Sequence, residues 1–332
     1  MIIGQYTPYQ CILGGVFMTT AVIDTGFAPN TDWSIDPSID YPITLVYEFS
    51  VSGVERQALH AAFHDQKTHI LAIPGFHNLV LDQLTGTSTM VKNFPITYKG
   101  ALGHAYAGAA EEGTQPWHYA LLVRVDPRSS AASHFDHWFK EAIVSHLHAY
   151  IPDPQRPGGK HRLDHPMPYY VGAFATISAG DRDRIFTTPD PVREFVLRPV
   201  DLASMVTVLN HVLIADAYTA AFNQGVTGLL ETAQQTFQPS SDPHHIGYPA
   251  DASNTYYRKP VTTEILMGLA TNQGLRPYLM HGIWESLWDH ENSHLDPRFR
   301  QAASAIAPYV LGGPEEPFYH LVYTLSPHTQ TA

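Results

Sequence analysis

The chain has one cysteine, Cys11, in 332 residues. A lone thiol excludes an intramolecular disulfide and a cysteine-built metal cluster, and it fits a reducing compartment. Positive charge is scarce as well: 19 Lys and Arg stand against 31 Asp and Glu, a formal charge of −12. Such a chain has no basic field to draw a phosphate backbone, so nucleic acid is not an expected partner. No apolar run is long enough to cross a bilayer. The apolar patch from Cys11 to Met18 has no basic residue before it, the first being Arg56, so a secretory leader is not expected either. The expectation is a cytoplasmic protein with a small-molecule partner and no membrane partner, working as a monomer or a homodimer.

What the chain does have is core-forming material and histidine. With 44% hydrophobic and 11% aromatic residues it can bury a sizeable core. After an irregular arm over residues 1–41, rich in turn-forming Gly, Pro and Asp, the β-rich run Ile43 to Val51 opens the first regular unit. A helix from Glu55 to Leu71, the turn Pro74-Gly75-Phe76 and a strand from His77 to Leu81 follow. The pattern recurs as a strand from Trp117 to Val125, a helix from His134 to Tyr150 and a strand from Tyr169 to Ile177. A third group is expected as a strand at Arg193 to Arg198 with a helix from Leu202 to Phe222, and a fourth runs from Val261 to Leu325. Recurrent strand–helix–strand units with antiparallel returns predict an α+β fold. The chain reads as a single large domain of two tandem ferredoxin-like halves, 42–180 and 190–326, which form an α+β barrel of antiparallel sheets with helices on the outside.

The chemistry-bearing stretch is Met280 to Leu325. It sets His290 and His294 one helical turn apart and places His320 in the alternating run Phe318 to Tyr323. Imidazole is the commonest metal ligand and the usual acid–base group near neutral pH. Taken literally, His290-Glu291-Asn292-Ser293-His294 satisfies H-E-x-x-H, in which two histidines on one helix face chelate zinc and the glutamate activates water. Asn292, Ser293 and the nearby Pro297 make a poor buried helix, so the motif is expected to be accidental. A second reading puts His294 on haem iron and His320 over the open face as acid–base residue. Two further histidines, His244 and His245, fall in the long Pro- and Ser-rich loop 234–257, where adjacent imidazoles are more often solvated.

The segments Trp288 to His294 and Phe318 to Val322 resemble the haem-containing aldoxime dehydratases, whose C-terminal part carries a proximal haem histidine and, about one helix later, a catalytic histidine in an aromatic-His-x-Val strand. The resemblance implies an α+β barrel, haem b held through His294 and a dehydratase acting on an aldoxime or other N-hydroxylated small molecule. It places catalytic roles on His320 and on Arg156 or Arg162, and it sets Arg198 at the cofactor. The sequence departs from the family where a substrate-orienting serine is replaced by Pro199. A cofactor-free barrel cyclase or isomerase, and a zinc hydrolase through His290, Glu291 and His294, stand as alternatives.

Overall fold

The computed structural model describes residues 38–87, 117–152, 160–166, 169–198, 204–235, 260–271, 274–294 and 296–327. Within them the chain is α+β. The first half runs β1 (Ile43–Val51), α1 (Arg56–Asp65), α2 (Lys67–Leu71), β2 (Phe76–Thr87), β3 (Trp117–Val125), α3 (Ala131–Phe139) and β6 (Tyr169–Asp181). A separate ribbon of β4 (His148–Pro152) and β5 (Lys160–Pro166) precedes β6, and the short β7 (Ile185–Phe186) and α4 (Pro189–Leu197) follow it. The second half runs β8 (Val206–Ala215), α5 (Thr219–Gln235), β9 (Thr262–Gly268), β10 (Leu275–Trp284), α6 (Leu287–Ser293), α7 (Pro297–Ile306), β11 (Val310–Glu315) and β12 (Pro317–Leu325).

Strand order explains the architecture. The first half pairs as β6-β1-β3-β2 and the second as β12-β8-β10-β9, the same ferredoxin-like arrangement twice, all antiparallel. The halves join at both edges, β2 to β12 and β6 to β9, so eight strands close into a barrel. Closure removes the free edges that would otherwise invite aggregation. It also explains why nearly every residue of β1 and β3 is buried. One face points into the barrel and the other lies under helices.

Period-two alternation sorts these faces. Val46, Leu84, Ala120, Leu122, Phe174, Leu209, Leu266, Leu279 and Tyr319 come from all eight strands and form the apolar filling of the barrel. Outside, Leu59 and Phe63 of α1 and Phe135 and Phe139 of α3 pack on Tyr47, Leu121 and their neighbours. On the second half, Phe222 and Val226 of α5 pack on Val212, Ile214, Ile265 and Tyr278. Each such side chain contributes about 1.5–3 kcal/mol by leaving water.

The turn at Pro74-Gly75-Phe76 is as expected, with Gly75 at φ +86°, a left-handed conformation that favours glycine. The third group differs from expectation. Residues 189–197 form a helix, because Pro189 and Pro191 sit in its first turn, where a missing N–H costs nothing. The run 206–215 (V-T-V-L-N-H-V-L-I-A) is a strand, its β-branched residues fitting a surface covered on both sides. The helix begins only at Thr219. Arg198 therefore ends a helix, not a strand.

Candidate metal centre

The helix α6 is short, and its last turn carries the motif. Ser286 caps it, its Oγ accepting from the Asp289 N–H at 3.1 Å and donating to Asp289 Oδ2 at 2.6 Å. Ser293 closes it by donating to the His290 carbonyl at 2.7 Å. Pro297 does not disrupt this helix, since it opens the next one, with Asp296 as N-cap accepting from the Arg298 N–H. The expectation of a poor buried helix is therefore corrected: Asp289, His290, Glu291, Ser293 and His294 are all buried. Trp284 and Phe318 stand edge-on to the His290 ring, each at 5.2 Å, and Phe299 flanks His294 at 5.4 Å. The covering aromatics come from β10, β12 and α7, which a helix-by-helix reading does not bring together.

Glu316, between β11 and β12, completes the group. Its Oε2 lies 3.3 Å from His294 Nε2 and 3.8 Å from His290 Nε2, and the two Nε2 atoms are 3.4 Å apart. Asn210 on β8 donates to Glu316 Oε1, which leaves Oε2 toward the imidazoles. On the other side of the His290 ring, Nδ1 is 3.4 Å from Glu291 Oε1. A proton held on Nδ1 by that carboxylate puts the lone pair on Nε2, the arrangement in which carboxylates orient metal-binding histidines. Arg300 Nε donates to the His294 carbonyl at 3.0 Å and fixes the chain at that point. Burial, then the charges of His290 and Arg300, hold the His294 pKa well below the usual imidazole value, so the ring is neutral at pH 7.

Glu316 was missed from sequence. A signal existed: Glu315 and Glu316 are the only acidic residues after Asp296, and a two-histidine motif needs a third ligand.

The haem expectation meets a steric obstacle here. A porphyrin iron would have to stand in front of His294 Nε2, where His290 and Glu316 already lie within 3.4 Å. A single ion fits there; a macrocycle does not. His320 faces the outside of the barrel opposite Gln83 and is exposed. Partial desolvation first, and the Arg56 charge second, lower its pKa. Its alternation was expected to group it with Phe318 and Val322, but register shifts flank it at Phe318/Tyr319 and Leu321/Tyr323. Phe318 and His320 do share the outer face, about 7 Å apart along the strand. The other expected site residues do not converge here. Arg198 pairs with Asp181 at 3.2 Å and lies over the Phe195 ring at 4.0 Å, a structural role at the end of α4. Arg162 belongs to the β4–β5 ribbon. Arg156, Pro199, His244 and His245 lie outside the described residues.

Comparison with known proteins bears on the same question. Residues 42–129 match the model of the ABM-like domain family. Residues 177–322 match that of the CT0912-like C-terminal domain. No curated protein matches the chain. Among solved structures, a candidate monooxygenase from Fusobacterium nucleatum subsp. nucleatum is similar at 7% identity and a TM-score of 0.45, over 86% of this chain and 95% of that one. An anthrone oxidase-like protein is similar at 12% identity and 0.45, over 88% and 96%. An aldoxime dehydratase is more distant, with a TM-score of 0.22 at 11% identity, over 87% and 86%. The resemblance to aldoxime dehydratases is thus corrected: both segments that carried it, Trp288 to His294 and Phe318 to Val322, lie in the stretch that matches the CT0912-like C-terminal domain model. A tryptophan, a histidine pair and an aromatic-His strand are too short a pattern to assign a family. Among the described residues no helix is long and apolar enough to cross a membrane.

Proposed function

We propose that the protein is a metal-dependent enzyme acting on a small molecule, with a divalent ion, zinc by its ligand set, held by His290, His294 and Glu316. The observation that carries this is the triangle of ligand atoms, with edges of 3.3, 3.4 and 3.8 Å. Ligands about 2.0–2.2 Å from a tetrahedral zinc ion are separated by about 3.4 Å, so the three atoms already mark one face of that tetrahedron. Two histidines and a carboxylate with a fourth position left over is the pattern of catalytic zinc sites, whereas structural sites close all four. The match of the first half to the ABM-like domain supports an enzyme-like, small-molecule role.

The chain's own groups define the division of labour. An ion in this position supplies Lewis acidity and an activated water, suited to hydrolysis or to the addition and removal of water. Glu291 is committed to His290 Nδ1 and acts as a positioning residue, not as the base of the literal motif. Proton transfer falls to His320, on the same outer face of β12, whose lowered pKa leaves it neutral and able to accept a proton at pH 7. Elemental analysis of the purified protein tests the reading. About one equivalent of zinc or another divalent metal per chain is expected, with loss in His294→Ala and in Glu316→Gln. A folded wild-type protein that takes up no divalent metal, even after incubation with zinc, would overturn it.

A further inference from the structure

Arg56, the first residue of α1, is unusual in an acidic protein. Among the described residues, Arg124, Arg128, Arg182, Arg184, Arg193, Arg198, Arg276 and Arg298 all have carboxylate partners. Arg56 has none among them. Its Nη2 donates to Gln83 Oε1 at 3.0 Å, its guanidinium lies 3.9 Å over the Trp117 ring, and its Nε is buried without a hydrogen-bond acceptor. The adjacent carboxylate, Glu55, is turned away to the His148 N–H and ring. A half-buried guanidinium left without a counter-charge is costly, and it is retained most readily where a ligand supplies the anion.

The surroundings specify the rest. Gln83, which holds Arg56, stands directly opposite His320 across the β2–β12 ladder, so guanidinium and imidazole share one face. His60, one turn along α1, is bonded to Tyr119 Oη at 3.2 Å. Beside His320 opens a groove of ≈ 610 Å³, lined by Ser204, Met205 and the β12 run from His320 to Thr324. That volume is in the range of small-molecule sites. At its rim Ser204 has φ 63°, a left-handed backbone unusual for a residue with a side chain.

We infer that Arg56 and His320 form an anion-recognising subsite, and that the small molecule the protein takes carries a carboxylate or a comparable planar oxyanion seated on the Arg56 fork. The body of the molecule lies in the groove over Leu321 and Val322. The inference supplies the substrate class for the metal-dependent reading, but the subsite itself stands on Arg56 and needs no metal.

The test is a titration of the full-length, chelator-treated protein with sodium benzoate at pH 8, read by the NMR shifts of the histidine ring protons. Benzoate is expected to move the His320 signal, assigned by its loss in His320→Gln, and benzyl alcohol is not. Arg56→Gln is expected to weaken benzoate by about ten- to a hundredfold, the value of a lost charged hydrogen bond. Arg56→Lys, which keeps the charge but not the two-pronged fork, is expected to fall between. Failure of benzoate to move the His320 signal of the wild type, or equal response to benzyl alcohol, overturns the subsite even if the substituted proteins fold poorly. Because the metal is removed, this outcome is separate from that of the metal analysis.

Discussion

Two polar clusters of this protein are built on opposite sides of the same barrel wall, and they differ in how their charges are balanced. Inside, Arg124 meets Glu264 at 2.5 Å and also donates to Thr44 and to Thr176 at 3.1 Å, with His281 Nδ1 3.6 Å from Glu264. Cation, anion and hydroxyls complete one another. Outside, along β12, two imidazoles and a carboxylate gather around one point, and a guanidinium further along has no carboxylate among the described residues. In the inner cluster the buried guanidinium and carboxylate balance each other, a pair that joins β3 to β9 across the barrel. The outer one has no such internal balance of charge, which is why we propose function there although both clusters are rich in titratable groups.

The contrast is sharpest in stability. Glu264→Ala strands Arg124 in the barrel, and loss of one partner of a buried pair costs about 3–5 kcal/mol. Urea unfolding should show that loss while metal content stays at the wild-type level. A loss below about 1 kcal/mol would mean the inner cluster is not structural and would reverse the assignment of the two regions. Next in size is the outer cluster. A chelator should lower the melting temperature of the wild type, because an ion that binds only the folded state adds about 2.7 kcal/mol at a hundred times its Kd. The same chelator should not shift Glu316→Gln, and equal shifts in both proteins would break the link between the triangle and the ion.

Acid separates the clusters by a different route. Burial alone would raise the pKa of Glu264, but the Arg124 charge and hydrogen bond, together with the nearby His281, outweigh it and hold it at about 2. Its folded value is below the unfolded one, so its contribution is complete above about pH 4.5 and is lost as pH falls toward 2. Urea midpoints measured across that window should drop in the wild type and flatten in Glu264→Gln. The smallest effect belongs to charges in neither cluster. The pair Arg128–Asp40 is exposed on both sides, and Asp40→Ala should cost no more than about 1 kcal/mol by the same denaturation assay.

Much of the frame could be read along the chain. The β-branched runs at 43–51 and 117–125, the helix 297–306 and the strand 317–325 carry local periodicity, and local periodicity is what sequence displays. Residues 189–215 were misjudged because the apolar run Phe195-Val196-Leu197 suggests a strand, while Val192, Phe195 and Val196 recur at helical spacing and two prolines start a helix there. The candidate site was legible only in pieces. His290, His294 and His320 stood out by spacing, but Glu316 and Arg56 did not, since neither belongs to a motif.

By itself the sequence determined the acidic balance, the lack of a second cysteine for an intramolecular disulfide, the α+β alternation and the helical spacing that puts His290 and His294 on one face. Only the tertiary structure decided what those histidines meet. Closing the barrel through β2–β12 sets His320 against Gln83 and so beside Arg56, which lies 264 positions earlier. Folding β11 back on β8 brings Glu316 to Asn210 and both imidazoles. Contacts of that kind depend on which strand edges pair, a global property of the closed sheet that no local stretch of residues encodes.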